Sequence, residues 1–396
     1  MRLTGGSLVA AMCIGQIGNL LPHVAVPAVM AQHLMPLWQL SAAEAGLMAS
    51  SFAFGYTAAV PVLTALTDRV DARRVLVAGS ALSGLATLGF GFFADGLASA
   101  MLWWTLAGIG FAGAYMPGLK AMTDRLDPGD SSRSVTLYTS SFSFGVGISF
   151  LAAQLAANGL GWRWAFILTG LGPVAMLIAC AGMEPRAPTP STGRLLDFRP
   201  VLRNRPALGY ILGYGAHCFE LYGMQTWIVA FWTFVAARHG LATPLSALAV
   251  SVLVSIMAFP ASIIGNELAL RFGRHRAIAL TMTASAVTAL CIGFAAGASP
   301  WLLIGLLAVY SFTVPADSGA LTSGMTATAY EGQKGATMAL HSAFGFGLSA
   351  LGAWGMGYAI DVAGGPASEQ AWLAGFTLLA LSISTGPVAL WWSRRG

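Results

Sequence analysis

Between Arg205 and Arg238 the chain carries one charged side chain, Glu220, inside the run ALGYILGYGAHCFELYGMQTWIVAFWTFVAA. A stretch so long and so apolar has few ways to fold. In hydrocarbon every backbone N–H and C=O must be satisfied within the segment, which leaves an α-helix as the simple solution. About 20 apolar residues suffice for one crossing. Comparable runs recur, at roughly 5–30, 44–66, 75–94, 98–119, 134–157, 163–183, 207–235, 244–268, 276–297, 300–328, 335–360 and 370–392. The spacing predicts twelve crossings. Composition agrees: 9% of the 396 residues are charged, against about 25% in a soluble domain, and the mean hydropathy is +0.71. The 48 glycines suit helices whose backbones approach closely in lipid. The first run has no small-residue cleavage site before it and reads as a retained helix.

Charge sets the expected orientation. With both termini in the cytoplasm, eighteen of the 20 basic residues fall on the inner side, leaving Arg163 and Arg238 outside. A bacterial-type inner membrane location follows as an expectation. The net charge of +5 reflects basic loops beside anionic membrane lipids, not a nucleic-acid partner. Cys13, Cys180, Cys218 and Cys291 lie in apolar runs without paired spacing, so neither a disulfide framework nor a zinc site is expected. No Walker loop and no Ser-His-Asp arrangement point to an enzyme or to a cofactor.

The segment Glu184–Pro206 is rich in arginine and proline. It reads as a cytoplasmic linker (184–206) between an N-terminal bundle (1–183) and a C-terminal bundle (207–396). YTSSFSFG (Tyr138–Gly145) aligns with LHSAFGFG (Leu340–Gly347), each opening the fifth run of its half. Parallel repeats of this kind build many secondary transporters.

The loop TALTDRVDARR (Thr64–Arg74) follows the second run, and NELALRFGRHR (Asn266–Arg276) occupies the same place in the second half. These loops are similar to the Gly-x-Leu-Ala-Asp-Arg-x-Gly-Arg-Arg motif of the major facilitator superfamily. Leu66, Asp68, Arg69 and Arg73 match in the first; Leu268, Ala269, Arg271, Gly273 and Arg274 match in the second. GWRWAF (Gly161–Phe166) is also typical of that family. The resemblance covers the whole chain. It implies an all-α membrane protein with twelve transmembrane helices in two pseudo-symmetric six-helix bundles, working as a monomer by alternating access. It also implies a cytoplasmic gate formed by Asp68, Arg69, Arg73, Arg271 and Arg274. The Gly-Pro of drug antiporters is missing from the fifth run. In the fourth, Trp104 stands where many proton-coupled members carry arginine.

Ionisable side chains inside a span are costly and are functional candidates by default. His217 and Glu220 lie near the middle of the seventh run at i, i+3, on one helix face. Asp317 lies in the tenth run beside Pro315, and His341 one to two turns into the eleventh. Desolvation favours the uncharged form of both a carboxyl and an imidazole, so a Glu-His pair is suited to exchanging a proton. Glu220, His217, Asp317 and His341 are therefore expected to couple protons to transport. Gln16, Asn19 and His23 share one face of the first run. With Tyr222, Lys120 and Gln154 they form the expected substrate cavity, Lys120 doubling as a snorkelling anchor. With no arginine deep in any run, the expected substrate is a small neutral, zwitterionic or cationic organic molecule. A second reading takes His23, His217, Cys218, Met224, Met338 and His341 as ligands for a soft, copper-like metal ion in transit. Export of a drug or metabolite is a third. The aromatic residues of MLWW (Met101–Trp104), with Trp227 and Trp232, are expected to face lipid or its interface.

Overall fold

The computed structural model describes residues 3–67, 69–126, 131–187, 196–239, 243–330 and 334–394. Among them are helices and no β-strand. The chain opens with α1 (Gly5–Leu20), α2 (Ala25–Val29), a π-helical turn (Met30–Leu34) and α3 (Met35–Trp38). There follow α4 (Ala42–Leu66), α5 (Ala72–Phe93), α6 (Leu97–Thr123), α7 (Ser131–Leu160), α8 (Trp162–Gly170) and α9 (Val174–Ala181). The second half contains α10 (Arg199–Arg203), α11 (Arg205–Arg238), α12 (Ala247–Phe272), α13 (Arg274–Phe294), α14 (Pro300–Ala316), α15 (Ser318–Thr328), α16 (Lys334–Val362) and α17 (Glu369–Ser393).

Among the described residues, ten spans are long and apolar enough to cross a membrane, and an eleventh is the bent combination of α1 with Ala25–Trp38. At 34 residues α11 has the length for the twelfth; His217, Glu220 and Gln225 make it less apolar than the rest. The expected twelve crossings are thus accounted for. Two more are interrupted, α8/α9 near Pro173 and α14/α15 at Asp317. Helix starts follow local chemistry. Asn204 accepts from the Ala207 N–H at 3.2 Å to open α11, and Ser246 accepts from Ala249 at 3.1 Å to open α12.

The helices pack as two compact units: Met1–Val29 with Ser51–Leu196, and Met30–Ser50 with Asp197–Gly396. In the first unit, Gly55 lies against the Thr105 carbonyl and Gly108 against that of Phe52. Neither site has room for a methyl group, so α4 and α6 meet backbone to backbone. Trp104 is buried against Phe52, Phe90 and Phe166. Arg163, from the GWRW segment, donates to the carbonyls of Gly91, Phe92 and Ala94, closing the end of α5.

In the second unit, α12 meets α14 in the same manner, with Gly265 against the carbonyl of Ala316. Asp361 on α16 accepts from the N–H groups of Ala42 (2.8 Å) and Ala43 (2.6 Å), capping α4. Trp227 and Trp232 are buried, not lipid-facing. Their indole N–H groups donate to the carbonyls of Ala353 (2.9 Å) and Leu245 (2.8 Å). An indole has a donor to satisfy as well as area to bury, and here the protein interior supplies the acceptor. This corrects the expectation for Trp104, Trp227 and Trp232.

Candidate functional site

Five helical segments of the second unit converge on one polar cluster in an otherwise apolar interior. His217 and Glu220 come from α11, Ser285 from α13, Tyr310 from α14, Asp317 from the α14/α15 break and His341 from α16. Glu220 has no exposed surface, and His217 and Asp317 are each 2% exposed.

The pairing differs from that suggested by helical spacing. The His217 Nδ1 lies 2.7 Å from Asp317 Oδ1, so the imidazole is matched to the carboxylate from the tenth span. The two atoms are at ion-pair distance but not aligned as a hydrogen bond. Glu220 turns to hydroxyl groups instead: its Oε1 accepts from Ser285 Oγ at 2.8 Å and from Tyr310 at 3.0 Å. Its Oε2 has no protein partner among the described residues. One oxygen is held and the other is buried without a partner. The ring of His341 stacks on Tyr214 with centroids 3.8 Å apart, and Tyr214 in turn lies 5.6 Å from the His217 ring. Both nitrogens of His341 lack a partner among the described residues. The four ionisable residues singled out in the sequence are thus joined by Tyr214, Ser285 and Tyr310, which sequence reasoning did not assign.

The break that presents Asp317 has a local cause. Pro315 has no N–H and cannot continue the ladder, and the Pro315 carbonyl accepts from Ser318 Oγ at 2.9 Å. Asp317 then opens α15, its carbonyl accepting from the Leu321 N–H at 2.9 Å.

The expected cavity residues of the first unit are arranged differently. Gln16 Oε1 accepts from the Tyr138 hydroxyl at 2.8 Å. Asn19 is fully buried and neither of its amide atoms has a partner among the described residues. His23 sits among Phe52, Phe111 and Phe142, with ring centroids 5.2 to 5.3 Å away. Gln154 is buried. Lys120 is half-buried and pairs with Asp124 at 3.0 Å on the last turn of α6, the arrangement of an anchor. Tyr222, in the second unit, packs on Phe346.

Of the expected gating residues, Asp68 lies outside the described residues. Arg69 and Arg271 are exposed and Arg73 and Arg274 half-buried. The ion pair visible in this loop belongs to Asp71, at the position where the family motif has its second glycine. Both Asp71 oxygens accept from Arg125 at 2.8 Å. The carboxylate also accepts from the N–H groups of Arg73 (3.0 Å) and Arg186 (2.9 Å). Burial alone would raise its pKa. The hydrogen bonds from Arg125 and the two backbone donors outweigh that and hold it below its ordinary value.

The sign of the resulting pH dependence follows. A carboxyl with a folded pKa below its unfolded value, about 3.9, contributes full stability above that value and loses it as pH falls through the folded one. In a thermal melt series between pH 7 and pH 3, wild type is expected to lose its advantage over Asp71→Asn at the acid end. Equal melting temperatures of the two proteins at pH 7 would show the pair to be inert.

The sequence matches the Major Facilitator Superfamily over residues 8–353. Among curated proteins it is 25% identical over 250 residues to protein spinster homolog 1 of Homo sapiens and 24% identical to that of Bos taurus. Each alignment covers 58% of this chain and 47% of the relative, so the chain spans about half the length of the curated relatives it matches. Among solved structures, a bacterial homolog to the human lysosomal transporter Spinster, inward-facing and unoccupied, superposes with a TM-score of 0.69 at 16% identity. That alignment covers 98% of this chain and 94% of the other. The POT family transporter PepTSo gives a TM-score of 0.77 at 13% identity, covering 99% and 98%. At these identities the structures speak for the fold.

Proposed function

This chain belongs to the Major Facilitator Superfamily, and on that footing we propose that it is a proton-coupled secondary transporter of a small organic solute. It is a multi-pass membrane protein; both termini lie in the cytoplasm, on the reading that basic loops face inward. The observation that carries the proposal is the buried cluster of Glu220, His217, Asp317 and His341. Apolar residues of the same volume would fill this space at less cost, and one carboxylate oxygen and both His341 nitrogens are buried without a partner among the described residues. Proton arrival at Glu220 or at the His217–Asp317 pair changes the charge inside the second unit. That gives two states with different preferred packing, as alternating access requires.

The expected cavity residues Gln16, Asn19, His23 and Gln154 carry amide and imidazole groups without a fixed charge, which suits a neutral, zwitterionic or cationic solute. Among the described residues no group of three His, Cys, Asp or Glu side chains is placed to hold a metal ion.

The test is uptake by the full chain in proteoliposomes, screened over neutral, zwitterionic and cationic solutes with a pH gradient imposed and then collapsed. Accumulation that follows the gradient supports the reading. Uptake that is indifferent to both the gradient and the external pH overturns the coupling.

A further inference from the structure

A groove of about 310 Å³ opens on the first unit between α4, α5 and α6, away from the polar cluster. Its walls are Leu63 and Leu66 at the end of α4, Val70 in the following turn, Val75, Ala78 and Leu82 on α5, and Ile109 on α6. The floor is made by Gly79 and Gly113, whose backbones pack directly on each other; a Cβ on Gly79 would lie 2.5 Å from the Gly113 carbonyl carbon. Small residues thus cut a channel into the surface of a helix pair that is otherwise tightly joined. From Arg74 to Leu82 the channel follows α5 for about 12 Å at the helical rise.

The lining holds one charged residue, Arg74. Its neighbour in the same loop, Asp71, is fully engaged by Arg125 and by backbone donors. Arg74 is exposed; its N–H donates to the Asp71 carbonyl at 2.8 Å, and its guanidinium makes no hydrogen bond or ion pair among the described residues. Among the described residues the groove is therefore apolar along its length with a cation and no acidic partner at its mouth, at the loop that also carries Arg69 and Arg73; Asp68 of that loop lies outside the described residues. That pattern is complementary to an amphiphile with an anionic head.

We propose that this groove is a binding site for an anionic phospholipid of the leaflet that the basic loops face. One acyl chain lies along Leu63, Leu66, Ala78, Leu82 and Ile109, and the phosphate meets Arg74. Surrounding lipid exchanges freely over a smooth helix face. A chain seated in a groove on a glycine floor gains contacts on three sides, and the arginine selects the headgroup.

Native mass spectrometry of the purified full chain, titrated with dioleoyl phosphatidylglycerol and separately with dioleoyl phosphatidylcholine, tests this. Wild type is expected to retain one phosphatidylglycerol through delipidation that removes phosphatidylcholine. Ala78 is exposed toward the groove, so Ala78→Phe fills it without touching the Gly79–Gly113 contact; the tightly held lipid is expected to disappear. Arg74→Gln, an exposed change that leaves the groove open, is expected to weaken phosphatidylglycerol about fivefold and leave phosphatidylcholine unchanged. Melting temperatures confirm that both variants are folded. Retention of phosphatidylglycerol by folded Ala78→Phe overturns the site. An unchanged phosphatidylglycerol preference in Arg74→Gln overturns the headgroup assignment, whatever happens to Ala78→Phe. Equal retention of the two lipids by wild type also refutes the proposal.

Discussion

Glu220→Gln is expected to abolish accumulation against a gradient while leaving exchange between equal pools partly intact. Glutamine keeps the size of the side chain and an oxygen to accept from Ser285 and Tyr310, so the packing of α11 against α13 and α14 is retained. What is lost is the ability to bind and release a proton. With one proton coupled, each pH unit of gradient supports about tenfold accumulation, the equivalent of about 1.4 kcal/mol; the variant should fall to simple equilibration. Proteoliposome uptake with an imposed pH gradient, run beside counterflow, separates the two activities. Full-rate accumulation by Glu220→Gln would remove this carboxyl from the coupling mechanism. Loss of counterflow as well, in a variant that melts like wild type, would assign Glu220 to substrate binding instead.

The second large effect concerns the His217–Asp317 pair. Removing one partner from a buried pair leaves an uncompensated group in low dielectric and typically costs about 3–5 kcal/mol, whereas replacing both by apolar residues is often neutral. Asp317→Leu or His217→Leu alone is therefore expected to destabilise the protein strongly, and the two combined to recover most of that loss. Unfolding in a detergent series gives the four stabilities of the cycle. A double variant as unstable as the sum of the single ones would mean that the two residues act independently, and the 2.7 Å approach would carry no coupling. Transport by the stable double variant then tells whether the pair serves function or only packing.

The sequence made the architecture plain because hydrocarbon permits so few solutions. Runs of apolar residues with basic loops between them specify the spans, and the Tyr138–Gly145 and Leu340–Gly347 segments announce the repeat. The rarity of charge likewise exposed Glu220, His217, Asp317 and His341. The partner of each was not legible. An i, i+3 spacing describes neighbours on one helix, and it suggested Glu220 with His217. The contacts are made across helices, to residues between 65 and 100 positions away: Ser285, Tyr310 and Asp317. Serine and tyrosine are common in such helices, so nothing in their own surroundings marked Ser285 or Tyr310. At the loop after α4, motif matching drew attention to Asp68 and passed over Asp71, which departs from the pattern. A departure from a motif carries no expectation, though it placed a carboxylate where Arg125 reaches it. The tryptophans misled for a related reason: amphipathic rings suit an interface, but an internal carbonyl serves the indole equally well.

The contact between Gly265 and the Ala316 carbonyl fixes how the acid's side of the histidine–aspartate pair can move. Ala316 is the residue immediately before Asp317, and its peptide is wedged onto α12 with no side chain between them to act as a cushion. The acid's main chain is consequently pinned to its own scaffold. A backbone rearrangement that parts the two groups must then carry α12 along with the acid. The imidazole's helix is seated in the same way, the Phe219 carbonyl of α11 lying against Gly352 on α16, so the least costly parting of the two groups is by side-chain torsion.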